Sequence, residues 1–324
     1  MDKIMNILLC IDDFKWDYAR HCAVTILSLL ETNKKHKIKI FIMSSCLPEE
    51  NIEELKRIVK LYNQEIEFII RDDLIPEEIK KSVINRRNLT WGTWYRLFFP
   101  YYIKNIDRLL YMDCDVLVTK DIWDIYNMDM EWRSIAGHYE PEQARYLKKK
   151  YFWLNNYVNA WVLLFDAKEY DGKKINTKNI ERLNKLYWKR ISDSDQDYLN
   201  LIFADDITVK DEWMNFILER PFCNPWYEDA SILHCLAKPY AKYSLSPKKV
   251  RELYDFYLQK TKRKDYPKEK TISLLWYIIT IIYRAFFLAL RKIFWVRAVA
   301  MLFKLLQKAF NLKKIVLLLI KKSK

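Results

Sequence analysis

Strand-like and helix-like runs alternate along the first part of the chain, and this succession restricts the fold more than any other feature. Ile4–Ile11 is an unbroken apolar run closed by Asp12 and Asp13, the pattern of a strand buried on both faces. Tyr18–Leu30 follows with Ala19, Cys22, Ala23, Ile26, Leu27 and Leu30 on one side of a predicted helix. Ile38–Met43 reads as a second strand. Pro48 opens a predicted helix in which Ile52, Leu55, Ile58, Val59 and Tyr62 recur at the helical period, and proline suits a first turn. Ile66–Ile70 reads as a third strand. Parallel strands joined through helices need right-handed crossovers, so an α/β sheet with helices on both faces is expected.

Further along, Trp94–Ile103 has helical spacing despite Pro100. Asp107–Met112, Val116–Val118, Tyr157–Phe165 and Ile232–His234 read as strands, and Asp197–Phe203 reads as a helix. The chain has only 3 glycines in 324 residues, too few for the closely spaced glycines of a Gly-rich phosphate loop. Aromatic residues make up 15% of the chain, which excludes a disordered polymer.

Charge divides the chain. Residues 248–324 carry 20 Lys/Arg against 4 Asp/Glu, a net of +16, whereas residues 1–247 carry a net of −2. Residues 272–324 contain 11 Lys/Arg and no acid. Such a tail calls for a polyanionic partner, and its aromatic, apolar composition favours an anionic membrane surface and not nucleic acid. On a helix Arg297, Lys304, Lys308 and Asn311 fall on one face, away from Val299, Leu302, Phe303, Leu306 and Phe310. Residues 272–290 are long enough to span a bilayer, but Arg284 makes the span costly, so a helix lying in the headgroup layer is the favoured expectation. The division expected is a body over 1–259, a basic hinge over 260–271 and an amphipathic tail over 272–324. No secretory signal is read at Met1, and the six cysteines form no paired spacing, as in a reducing compartment. A cytoplasmic protein, peripheral on the inner face of the cell membrane, is the expected location.

The sharpest chemical signal is Asp113-Cys114-Asp115, set between the apolar runs Leu109–Met112 and Val116–Val118. Carboxylates buried there without a counter-ion would be costly. If the strand kinks at Cys114, both reach one hard cation such as Mg²⁺ or Mn²⁺, the kind of ion that holds a diphosphate. Asp12 and Asp13 close the first strand, where a ligand binds in an open α/β sheet, and either hydrogen-bond a base or ribose or cap the next helix. Arg96, among aromatic neighbours, pairs either with a phosphate or with Asp12 or Asp13. His234 is either a satisfied core histidine or a third ligand beside Asp113 and Asp115. Asp193, Asp195 and Asp197 precede a helix, as dipole complements or as a polar sugar-binding edge.

Six pieces of this chain occur in the order seen in family 8 glycosyltransferases, which include lipopolysaccharide galactosyl- and glucosyltransferases. They are Ile7–Asp13, Thr93–Leu97, Leu110–Val118, Val158–Leu164, Ser194–Asn200 and His234 with Lys238-Pro239. The resemblance covers residues 4–240, and the cationic aromatic tail is similar to the membrane-binding tail of those enzymes. It implies a GT-A, Rossmann-like mixed sheet flanked by helices, a UDP-sugar donor, a Mn²⁺-type ion and transfer with retention. It implies Asp113, Asp115 and His234 as metal ligands. Asp12, Asp13, Arg96, Cys114, Asn159, Ala160 and Lys238 are implied as donor contacts, and Asp195 and Gln196 as residues beside the anomeric carbon. The chain departs from the family pattern at Trp161, where glycine is usual, and in a shorter His234–Lys238 segment.

The expected activity is therefore transfer of a hexose from a UDP-sugar, UDP-galactose or UDP-glucose, to a glycan or glycolipid acceptor, dependent on Mn²⁺ or Mg²⁺. One alternative is a metal-dependent phosphohydrolase or nucleotidyltransferase, with Asp12 and Asp13 serving a second ion. Another is a non-catalytic relative that binds UDP-sugars and membrane.

Overall fold

The structure is a computed structural model, and it describes residues 3–13, 18–85, 90–139, 157–210, 216–217, 228–235 and 246–262. The described residues belong to one compact unit, residues 1–240 with 246–268. Lys238, most of the hinge over 260–271 and the whole tail over 272–324 lie outside the described residues.

The first half folds as the apolar runs predict. β1 (Ile4–Cys10), α1 (Ala19–Thr32), β2 (Lys37–Ser44), α2 (Glu49–Leu61) and β3 (Glu65–Ile70) form a parallel unit. Pro48 is the N-cap residue of α2 and not its first helical residue. α3 (Glu77–Ser82) and α4 (Gly92–Tyr102) follow, then β4 (Arg108–Met112) and β5 (Val116–Val118). α5 (Trp123–Tyr126), β6 (Ile135–Tyr139) and β7 (Val158–Asp166) come next. The chain continues through α6 (Thr177–Tyr187), α7 (Asp195–Ile202), β8 (Ile207–Lys210), β9 (Phe216–Ile217), β10 (Ile232–His234) and α8 (Lys248–Leu258).

Seven strands form one sheet in the order β3-β2-β1-β4-β7-β6-β8, and β5-β10-β9 form a second. In the large sheet only β7 runs against its neighbours, since β4 and β6 both pair with it antiparallel while β6 and β8 are parallel. The strand order reverses between β1 and β4, which places a crevice outside their carboxyl ends. Asp12 and Asp13 leave β1 at that crevice, and Asp113 leaves β4 there.

Burial explains why the centre is so apolar. Met5 and Ile7–Leu9 of β1, Leu109, Leu110 and Met112 of β4, and Val162–Phe165 of β7 are buried. Trp94, Phe98 and Phe99 of α4 pack with Leu8, Phe41, Phe165 and Tyr198 in one core cluster. The few glycines serve close approach, and none has a positive φ. A Cβ at Gly137 would lie 2.8 Å from the Val158 Cβ, at the irregular register between β6 and β7. Left-handed positions fall instead to Asn63 and Asn105, which tolerate them, and to Glu131, Trp132 and Ser194.

Candidate active site

β4 ends at Met112 and β5 begins at Val116, so Asp113, Cys114 and Asp115 form the turn that carries the chain from the large sheet to the small one. This turn is the kink that a shared ion requires. Thr25 of α1 fastens it, donating its hydroxyl to the carbonyls of Cys114 and Val116, 2.8 Å each. The Cys114 thiol is buried and donates to the Cys10 carbonyl at 3.4 Å.

Strand register then brings in the histidine. β10 pairs antiparallel with β5, His234 opposite Val116, and the Cys235 N–H donates to the Asp115 carbonyl at 3.0 Å. His234 Nε2 lies 3.2 Å from Asp115 Oδ1 and 4.0 Å from Asp113 Oδ2. One ligand atom from each of Asp113, Asp115 and His234 lies within 4.8 Å of the others. Two carboxylates and an imidazole on one point are a donor set that suits a hard divalent ion. Burial pushes the Asp113 carboxyl up to about 6, against the pull of Arg96 and His234, and the charge of Asp115 adds to the push. Burial also opposes ionisation of Asp115, but His234 and His21 outweigh it and hold this carboxyl below its usual range. A cation between them would favour the charged form of both. Among the described residues no second cluster of three such ligands occurs.

Arg96 of α4 ties this triad to α7. Its guanidinium donates to Asp113 Oδ1 at 3.2 Å and to Asp195 Oδ2, and to the Tyr111 hydroxyl at 2.6 Å. The Tyr111 hydroxyl in turn donates to Asp113, and the Tyr111 ring lies 4.7 Å from the guanidinium. Arg96 and Asp195 are each 3% exposed at the side chain, which makes the pair a buried one. Burial works against the Arg96 charge, yet Tyr111, Asp195 and Asp113 raise its pKa above the usual range. Burial raises Asp195, against the pull of Arg96. Of the two alternatives read for Arg96, a phosphate or Asp12 and Asp13, the carboxylates it meets are instead Asp113 and Asp195.

Asp12 and Asp13 part company. Asp12 accepts from the Ser45 backbone at 3.0 Å and hydroxyl at 2.9 Å, and from the Tyr95 hydroxyl at 3.0 Å. The buried Asp13 carboxylate accepts from the backbone N–H groups of Tyr18 and Ala19, at 3.2 and 3.0 Å, and from Asn51 Nδ2 at 2.9 Å. It therefore satisfies free donors at the start of α1, the capping alternative read from the sequence.

Because β7 runs opposite to β4, its first residues stand at the same carboxyl-end crevice. Asn159 Oδ1 accepts from the Trp161 N–H at 2.9 Å. The Ala160 N–H donates to Gln196 Oε1 at 2.9 Å, and Gln196 Nε2 donates to the Tyr157 hydroxyl at 3.1 Å. Gln196 is thus fixed between β7 and α7. Ser194, just before α7, has φ 44° and ψ −120°, a conformation that costs a non-glycine residue about 1–3 kcal/mol. Its hydroxyl accepts from the buried Trp94 Nε1 at 3.1 Å. The strained residue directly precedes Asp195 and Gln196.

Sequence reasoning passed over several members of this site. Tyr111 was legible, because positions two apart on a strand share a face and Tyr111 precedes Asp113 by two. His21 and Tyr95 carried no signal, each lying within an apolar helix pattern. His21 Nδ1 meets the Tyr254 hydroxyl of α8 at 2.5 Å.

The family model for "Glycosyl transferase family 8" matches residues 6–239. General stress protein A of Bacillus subtilis is 26% identical over 281 residues, 81% of this chain and 95% of that protein. Lipopolysaccharide 1,3-galactosyltransferase of Salmonella typhimurium is 23% identical over 242 residues, 70% of this chain and 71% of that protein. The solved structure of galactosyltransferase LgtC with donor and acceptor sugar analogues is 22% identical, with a TM-score of 0.66, covering 84% of this chain and 99% of that one. The likeness to LgtC extends to the mixed sheet flanked by helices, the GT-A fold expected from the sequence. With a family match that spans most of its length, this chain is a glycosyltransferase and belongs to family 8.

Proposed function

We propose that this enzyme moves a hexose from UDP-galactose or UDP-glucose to a glycan or glycolipid acceptor, with retention at the anomeric carbon. The observation that carries the reading is the convergence of Asp113, Asp115 and His234 at the β1/β4 crevice, joined through Arg96 to Asp195. The names of lipopolysaccharide galactosyl- and glucosyltransferase relatives support a hexose donor and a lipid-linked acceptor.

In this reading Asp113, Asp115 and His234 hold Mn²⁺ or Mg²⁺. When bound, the ion supplies Lewis-acid stabilisation of the charge that develops on the diphosphate. Asp12, with Asp13 behind it, receives the uridine. Asn159 and Ala160 line the sugar pocket, with the backbone of Cys114 and with Lys238 on the diphosphate. Asp195 and Gln196 are held by Arg96 and by Ala160 and Tyr157, so they meet the sugar without reorganising. The bond from the anomeric carbon to the phosphate oxygen breaks with its electron pair leaving on UDP. The acceptor hydroxyl oxygen bonds to that carbon, and its proton passes to the departing diphosphate.

UDP release from UDP-galactose and UDP-glucose, with Mn²⁺ and a lipid-linked glycan acceptor, tests the reading. Acceptor-stimulated release of UDP is expected. Release of phosphate or pyrophosphate would support the phosphohydrolase or nucleotidyltransferase alternative, and UDP-sugar binding without turnover on any glycan would support the non-catalytic one.

The domain plan that goes with this function is a catalytic domain over 1–259, the hinge over 260–271 and the tail over 272–324 on the inner face of the cytoplasmic membrane. Its support is the acid-free cationic composition of the tail, with each basic residue near an anionic surface worth about 1 kcal/mol. Cutting the chain after Lys270 is expected to release it from anionic liposomes and to leave UDP binding unchanged. A truncated chain that pellets with the vesicles as fully as the whole chain would remove the tail from the account.

A further inference from the structure

Trp161 braces two of the three members of the triad. Its carbonyl accepts the Asp113 N–H at 2.9 Å, which extends the β4–β7 ladder one residue past the end of β4. Residues directly opposed on antiparallel strands point to the same side, so the Trp161 side chain rises from the sheet beside that of Asp113. There its indole meets the ring of His234, with centroids 4.5 Å apart and planes inclined by 55°. Trp161 is half-buried, whereas Asn159, Ala160 and Val162 around it on β7 are fully buried.

An imidazole has a broad torsion about its ring bond, so the backbone of β10 alone does not fix the plane of the ring. An indole 4.5 Å away and inclined by 55° limits how far the ring can swing. The indole offers no lone pair to a cation, so it acts on the site only through the ring it touches.

We propose that Trp161 is a positioning residue of the metal site, its indole limiting the swing of the His234 imidazole so that Nε2 stays beside Asp113 and Asp115. This rests on the reading of those three residues as ligands of a divalent ion. Where glycine stands at this position in the family pattern, the ring must be set by other means. This chain has coupled the sugar-pocket strand to the metal ligand through one side chain.

The test measures Mn²⁺ binding to the full chain without donor, from the spectrum of free Mn²⁺, for the wild type, Trp161→Phe and Trp161→Ala. Melting is followed in parallel in chelator. Trp161→Ala is expected to bind Mn²⁺ about 10-fold more weakly and Trp161→Phe within about threefold of wild type, as for groups that orient a ligand without touching the metal. Metal-free melting should be the same for all three, and saturating Mn²⁺ should restore UDP affinity in Trp161→Ala. Equal Mn²⁺ affinity in Trp161→Ala and wild type would overturn the proposal, as would a Phe variant as weak as the Ala one. A wild type that binds no Mn²⁺ would instead overturn the ligand reading beneath it, and the proposal with it. If Trp161→Ala does not fold, fluorescence of Trp161→Phe decides. Paramagnetic Mn²⁺ should quench indole emission in the wild type and lose most of that quench in Trp161→Phe, and an undiminished quench would count against the proposal.

Discussion

Asp115→Asn is expected to abolish the dependence of UDP binding on Mn²⁺ and to lower the rate of transfer on the order of 10²–10³-fold, the effect of removing one preorganised electrostatic group. The amide keeps the size of the carboxylate and keeps an oxygen to accept from His234 Nε2, now 3.2 Å away. It removes the charge that a hard cation needs. The turn itself is held by Thr25 and by the Cys235 N–H on the Asp115 carbonyl, and neither bond uses the Asp115 side chain. Unfolding should therefore stay cooperative, with a metal-free stability change of about 1 kcal/mol or less. A second readout separates binding from chemistry. Mn²⁺ at about 100 times its dissociation constant should stabilise the wild type by about 2.7 kcal/mol and leave the variant unmoved. An Asp115→Asn enzyme that still melts higher in Mn²⁺, and still needs it for UDP, would remove Asp115 from the ligand set.

Arg96→Met should produce the largest loss of stability. Arg96 is 3% exposed at the side chain and lies between Asp113 and Asp195. Removing one partner of a buried ion pair leaves an uncompensated charge and typically costs about 3–5 kcal/mol. Asp195, itself 3% exposed at the side chain, has no solvent to turn to. The double variant Arg96→Met with Asp195→Asn should recover part of the loss, because the stranded charge has gone. Arg96→Lys should fall between, since a point charge cannot fork between two carboxylates and the Tyr111 hydroxyl as a guanidinium does. Denaturant titration in chelator measures all three. A single Met variant as stable as the wild type would mean that the contacts of Arg96 with Asp113 and Asp195 do not hold the site together.

The two variants show where the sequence was informative. β1, β2, β3 and the helices between them are legible because their apolar periods are long and uninterrupted. Asp113-Cys114-Asp115 is legible because charge between two buried runs needs a reason. β6, β8 and α6 escaped because they are short or mostly polar. Ile207–Lys210 is 4 residues long, and α6 keeps only Ile180 and Leu183 buried. The meeting of His234 with the aspartates is a matter of register between β5 and β10, strands 3 residues long and more than a hundred positions apart, and no local pattern encodes it. The same holds for Arg96. Its place in an aromatic helix marks it as unusual, but its partners come from β4, from the turn after it and from the first residue of α7, so only the folded chain can name them. Asp13 is the reverse case: capping was one of the two local roles open to it and Asp12, and it accepts from the two N–H groups at the start of α1.

Diffraction from crystals grown with MnCl₂ and UDP, recorded near the manganese absorption edge, tests the central claim most directly. The account predicts one strong anomalous peak at about 2.0–2.3 Å from an oxygen of Asp113, an oxygen of Asp115 and Nε2 of His234, with the diphosphate on its open side. UDP bound in the crevice with no manganese at these three residues, or with manganese held elsewhere, would contradict it.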